Sequence, residues 1–204
     1  MTNVDVQVVP GRRLAVVRRR VEIGSVGTAW GPALDKVWAF LRARPGLRTD
    51  GHNVFPYHHP TGTDAAMEVE FGVEVIRVFH AAGEVVPADT PAGEVATAVH
   101  RGGYDRLRRT HDAIHAWRAR TGRTFAGISW EVYGDWSDDP SRLETTVFYL
   151  LSERPPVRRR IVGARTSVVI DRTIGHQRDR SLACAAYPDV DQRERAHHIG
   201  PFAD

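Results

Sequence analysis

The chain contains the same short plan twice, and that repeat limits its folding more than any other feature of the sequence. The segment "LDKVWAFLRARPG" (34–46) resembles "HDAIHAWRARTG" (111–122), with Val37/Ile114, Ala39/Ala116 and Phe40/Trp117 in register. Each lies within a helical pattern. In the second, Leu107, Thr110, Ile114 and Trp117 recur at steps of three and four, as one buried helix face requires. Gly46 and Gly122 follow as the expected stops. A strand-like run precedes each helix, "LAVVRRR" (14–20) and "EVATAVH" (94–100). Two more follow each, "NVFPYHH" with "AMEVEFGVEV" and then "GISWEVY" with "ETTVFYLL". The body is therefore strand–helix–strand–strand, written twice. Two such units predict an α+β fold, one mostly antiparallel sheet with both helices on one face. The other face is left open, with a ligand groove where the halves meet.

Within that plan one strand raises a chemical question. "GISWEVYGDW" (127–136) alternates Ile128, Trp130 and Val132 with Ser129, Glu131 and Tyr133, so Glu131 and Tyr133 share a face. If the helices cover the Ile128/Trp130/Val132 side, Glu131 and Tyr133 belong to the open groove; alternation alone leaves the side open. An acid on the wet face of a sheet is ordinary. An acid beside aromatic rings also suits a pocket for a cationic small molecule, where charge attraction and cation–π contact act together. "MEVEFGVEV" alternates as cleanly, with Met67, Val69, Phe71, Val73 and Val75 on one side and Glu68, Glu70 and Glu74 on the other. "GDWSDDPSRL" (134–143) is rich in turn formers.

Composition divides the chain. The net charge is +3 over 204 residues. Residues 153–204 hold 10 arginines against 7 acids, which leaves 28 − 10 = 18 basic and 25 − 7 = 18 acidic residues in 1–152. The basic character is a property of the tail, and the neutral body gives no support to sequence-specific nucleic-acid binding. Residues 1–152 are expected to form one domain. Residues 153–204, opening with Pro155, Pro156 and Arg158–Arg160, are expected to be a loosely ordered Arg-rich tail. Cys184 is the sole cysteine, so no intrachain disulfide forms. There is no signal peptide pattern and no apolar run near a membrane span, which predicts a cytoplasmic protein with no membrane partner.

"HRGGYDRLRRTHDAIHAWRARTG" followed by "GISWEVYGDWSDDPSRLETTVFYLL" resembles the GyrI-like (gyrase-inhibitor-like) small-molecule-binding domain, also the effector-binding part of many AraC-type and MerR-type regulators. Three pieces carry the resemblance: His-x-Gly-Gly-Tyr before the helix, Trp-Glu-x-Tyr in the next strand, and an Asp-Asp-Pro turn into the last. It extends over roughly residues 3–152. It implies the duplicated fold, a ligand groove between the halves and Glu131 as the central acid. Some stand-alone members resemble hydrolases that open strained cyclopropane rings, with the acid helping to activate water. Regulators of the family carry a helix-turn-helix domain ahead of this one, whereas here the chain begins directly in the first strand.

The expected ligand-binding residues are Glu131, Tyr133, Tyr104, Tyr57 and Trp136, with Glu131 also the catalytic candidate. Tyr57 belongs to "FPYHH", the first-half counterpart of "SWEVY", which pseudo-symmetry brings to the groove. Tyr104 opens the second helix after two glycines. His100 is expected to be structural, and Trp38 and Trp117 to be core. His58 and His59, with His52 nearby, suggest a metal only if they converge. Neighbours on a strand face opposite ways, so no metal is expected, and no cofactor motif is present. The functional expectation is an amphipathic aromatic or cationic small molecule bound for sequestration or sensing, as in drug or toxin resistance. One alternative is a hydrolase of cyclopropane-bearing genotoxins, in which burial raises the Glu131 pKa toward that of a general base. Another is a protein-binding inhibitor of a topoisomerase. Any other protein partner is unknown.

Overall fold

The computed structural model describes residues 2–22, 24–48, 51–60 and 65–153. Apart from Glu153, the Arg-rich tail lies outside the described residues. The described elements are β1 (Asp5–Val9), β2 (Arg13–Glu22), α1 (Val26–Arg42), β3 (Asn53–His58), β4 (Ala66–Glu74), β5 (Val86–Asp89), β6 (Gly93–Arg101), α2 (Leu107–Thr121), β7 (Phe125–Tyr133) and β8 (Glu144–Leu151). The strands form one antiparallel eight-stranded sheet in the order β1-β6-β8-β7-β3-β4-β2-β5. This is the α+β duplication expected from the repeat, with β3 and β7 paired at its centre.

Two elements were not legible in advance. Short strands β1 and β5 precede the two repeats, and the halves exchange them. β1 pairs with β6 of the second half, and β5 pairs with β2 of the first. Each half therefore carries the other's edge strand. Four- and five-residue strands at sheet edges have little sequence pattern of their own.

The helix ends obey backbone chemistry. Gly122 takes the left-handed conformation (φ 67°) that closes α2, and its N–H bonds to the Arg118 carbonyl at 3.0 Å. Gly46 does not cap α1, which ends at Arg42 with Ala43 in the right-handed region; Gly46 (φ 93°) serves the turn beyond. Gly72 is required for a different reason. It lies between Val16 of β2 and Val54 of β3, and a Cβ there would come 2.5 Å from Val16 Cγ1 and 2.9 Å from the Ala15 carbonyl oxygen.

Both helices cover the same face. α1 lays Leu34, Val37, Trp38 and Leu41 over Val69, Phe71 and Val73 of β4 and Ala15 and Val17 of β2. α2 lays Leu107 and Ile114 over Ala96 and Ala98 of β6 and Val147, Tyr149 and Leu151 of β8. Full burial of each large apolar side chain contributes about 1.5–3 kcal/mol, so these two layers hold the helices to the sheet. Trp38 is core as expected, and Trp117 packs partly buried at the margin of the α2 layer. The opposite face carries a smaller apolar cluster of Leu14, Val16, Val54, Val95, Trp130, Val132 and Phe148. Trp130 and Phe148 stack there at 5.3 Å with planes 12° apart.

Candidate functional site: a buried glutamate between the helices and the sheet

Trp130 and Val132 belong to the face away from the helices, so Glu131 and Tyr133 face the helices. The open-groove placement of Glu131 is therefore corrected. The reason lies in the β3–β7 pairing, where Glu131 is opposite Phe55 and Ser129 opposite Tyr57, all on the helix-covered side. Glu131 is 1% exposed. An ionised carboxylate in such a place is costly unless it is paired and hydrogen-bonded.

It is both. Oε2 accepts hydrogen bonds from the Tyr57 hydroxyl at 2.7 Å and the Tyr133 hydroxyl at 2.5 Å. Oε1 lies 2.9 Å from Nε2 of His111, on the inner face of α2. Burial pushes the Glu131 pKa up, but the hydrogen bond and charge of His111, with the two tyrosine hydroxyls, outweigh it and hold the carboxyl below its ordinary range. The raised pKa expected for a general base is thus contradicted. Of these partners β7 itself supplies only Tyr133; the His111 counter-charge and the Tyr57 donor come from α2 and β3.

The network continues beyond His111. Its Nδ1 is 2.9 Å from the Tyr149 hydroxyl, which is 3.2 Å from Nε2 of His115, one helical turn farther along α2. His59 stacks on Tyr149 at 5.9 Å with planes 10° apart, and its Nε2 is 2.8 Å from the Ser129 hydroxyl. Burial, then the positive charges of His115 and His111, lower the His59 pKa to about 4. His115 is also lowered, by burial first and then by Arg118 and His111.

The expected site residues divide three ways. Tyr57 and Tyr133 bind Glu131 directly. Tyr104, 3% exposed, stands one ring behind, edge-on to Tyr133 at 5.5 Å. Trp136 is partly buried against the α1-side cluster and outside the hydrogen-bonded set. His100 is structural as expected, bound to the Thr110 hydroxyl at 3.2 Å and the Gly103 carbonyl at 3.0 Å, which ties the end of β6 to the start of α2. His111, Tyr149, His115 and His59 were missed as site residues. His111 had a signal, because it is four residues after Leu107 and three before Ile114, on the same helix face. Tyr149 had one too, in its alternation with Val147 and Leu151.

On the other face, His58, Glu68 and Glu70 bring donor atoms within 4.8 Å of one another. His52 is not among them. Arg18 already holds Glu70 through Nε at 2.8 Å, and His58 Nε2 is 3.8 Å from Glu70. Glu70 raises the His58 pKa against burial. Burial pushes Glu70 itself up, but His58 and Arg18 hold it below its ordinary value. These groups form an ion-paired set across β2, β3 and β4. Among the described residues, no helix is long and apolar enough to cross a membrane.

Solved structures share this architecture. The C-terminal domain of EcmrR is 21% identical, covering 76% of this chain and 99% of that one, with a TM-score of 0.63. SAV2435, in a structure bound to tetraphenylphosphonium, is 12% identical over 74% of this chain and 94% of its own, with a TM-score of 0.58. A hydrolase encoded by lin2189 from Listeria innocua is 13% identical over 73% and 91%, with a TM-score of 0.51. No curated protein matches the chain. The GyrI-like small molecule binding domain matches residues 2–150, so the chain belongs to the GyrI-like family of small-molecule-binding domains.

Proposed function

We propose that the chain binds an amphipathic aromatic cation at Glu131, with sequestration or sensing of such compounds as its role. The observation that carries this is a buried carboxylate held ionised among tyrosines. An anion at this depth favours a cation that is itself cheap to desolvate, and delocalised aromatic cations meet that condition. The rings of Tyr57, Tyr133 and Tyr104 supply the π-faces that such a cation prefers. A protein of the same fold, SAV2435, is known with tetraphenylphosphonium bound, which makes that ion a suitable probe.

Hydrolysis has less support. A carboxylate whose pKa is lowered by a paired imidazole is a poor base toward water. Incubation with a cyclopropane-bearing alkylator separates the two readings, since release of a ring-opened, water-added product would favour the enzyme.

Calorimetry with tetraphenylphosphonium tests the binding reading. Glu131→Gln keeps the shape of the side chain and removes its charge, so affinity should fall by about 1–3 kcal/mol while folding is retained. Unchanged affinity would remove Glu131 as the anchor.

A further inference from the structure

Glu131 has an imidazole partner before any ligand arrives. His111 is 2% exposed, and its Nε2 lies 2.9 Å from Oε1. Its other nitrogen meets the Tyr149 hydroxyl at 2.9 Å, so both ring nitrogens are engaged, as an imidazolium requires. We propose that His111 is a built-in counterion which an organic cation replaces, so that ligand binding at Glu131 expels a proton from His111. This rests on the proposed cation-binding function and adds how the site is regulated by pH.

Electrostatics selects His111 as the group that yields. The carboxylate is closed to solvent, so a ligand reaching it must displace a donor. Tyr57 and Tyr133 are neutral; moving them aside would leave imidazolium and ligand together against one negative charge. Deprotonation of His111 removes that repulsion. The step balances: imidazolium, carboxylate and cation become neutral imidazole, a carboxylate–cation pair and a free proton.

The proton has a route outward. Tyr149 links His111 to His115 at 3.2 Å, and His115 is less buried than His111. The other titratable or charged groups around this chain are His59 against Tyr149, Asp112 and Arg118 along α2, and the Tyr57 and Tyr133 hydroxyls across the sheet. Burial, the largest cause, lowers the His115 pKa, which favours the neutral ring that can accept from the Tyr149 hydroxyl. Coupling of this sign makes cation affinity rise with pH, up to tenfold per unit while His111 is protonated in the free protein, and level off above that range.

Calorimetry of tetraphenylphosphonium binding near pH 6, in buffers of different ionisation enthalpy, should report release of about one proton per cation. The neutral triphenylphosphine oxide should release none. In ¹⁵N-histidine spectra the His111 ring, assigned by the signal lost in His111→Gln, should pass from the imidazolium to the neutral pattern on adding the cation. If that variant does not fold, the buffer series on the unmodified chain decides alone. Binding without proton release, or release with the His111 spectrum unchanged, overturns the counterion role and leaves the cation-binding reading intact. No binding of tetraphenylphosphonium at any pH overturns both.

Discussion

The two halves of the molecule share one plan and fill it with opposite chemistry. The repeat aligns with a shift of 77 residues (114 − 37), which lays Trp30 on Leu107, Leu34 on His111 and Trp38 on His115. In the first half, Leu34 and Trp38 are sealed into an apolar layer over β4. In the second, histidines at the same helical positions meet Glu131 and Tyr149. A helix position chosen by geometry for burial can hold either a packing side chain or a counterion. The occupant depends on what the sheet presents: Val69 and Phe71 beneath one helix, a carboxylate beneath the other.

Exchanging the occupants breaks the comparison most sharply. Leu34→His removes a fully buried leucine and puts imidazole into a layer built from apolar side chains. A loss of about 4 kcal/mol in denaturant unfolding is expected. A variant as stable as the original would show an acceptor waiting under α1. The reverse exchange, His111→Leu, leaves Glu131 with its tyrosine donors and without the counter-charge. It should cost about 3 kcal/mol at neutral pH, and adding Glu131→Gln to it should restore much of that loss. Without such restoration, His111 would be contributing through packing alone.

Acid sharpens the contrast, because the titrating groups of the buried network lie under α2. The folded-state pKa of His59 is about 4, below the ordinary 6.5, so the unfolded chain takes up that proton first as pH falls. Stability should therefore decline between about pH 6.5 and pH 4, by about 2 kcal/mol after allowing for partial exposure. His59→Asn should flatten that slope in urea titrations. The contribution of Glu131 has a different window, since its folded pKa is depressed. It is present above the ordinary carboxylate range and is lost as pH falls through the folded value. Smallest of all is Arg108→Ala on the outer face of α2, where Arg108 and Asp112 lie 3.9 Å apart in solvent. That change should stay within about 0.5 kcal/mol by thermal unfolding.

Periodicity alone determined a good deal. The duplicated order of elements, the shared face of Glu131 and Tyr133, the stop at Gly122 and the buried side of β4 all follow from steps of two and of 3.6 residues, which are local properties of the backbone. Alternation assigns residues to faces without saying which face a helix will cover, because both sides of β7 carry large aromatic groups. That choice came from packing, with Trp130 taken up by Phe148 on one side and Glu131 met by His111 on the other. The exchange of β1 and β5 between halves was likewise decided by sheet edges far apart in sequence. Even the charge state of Glu131 belongs to tertiary structure: its strand supplies one donor, Tyr133, and the others come from β3 and α2, 74 and 20 residues away.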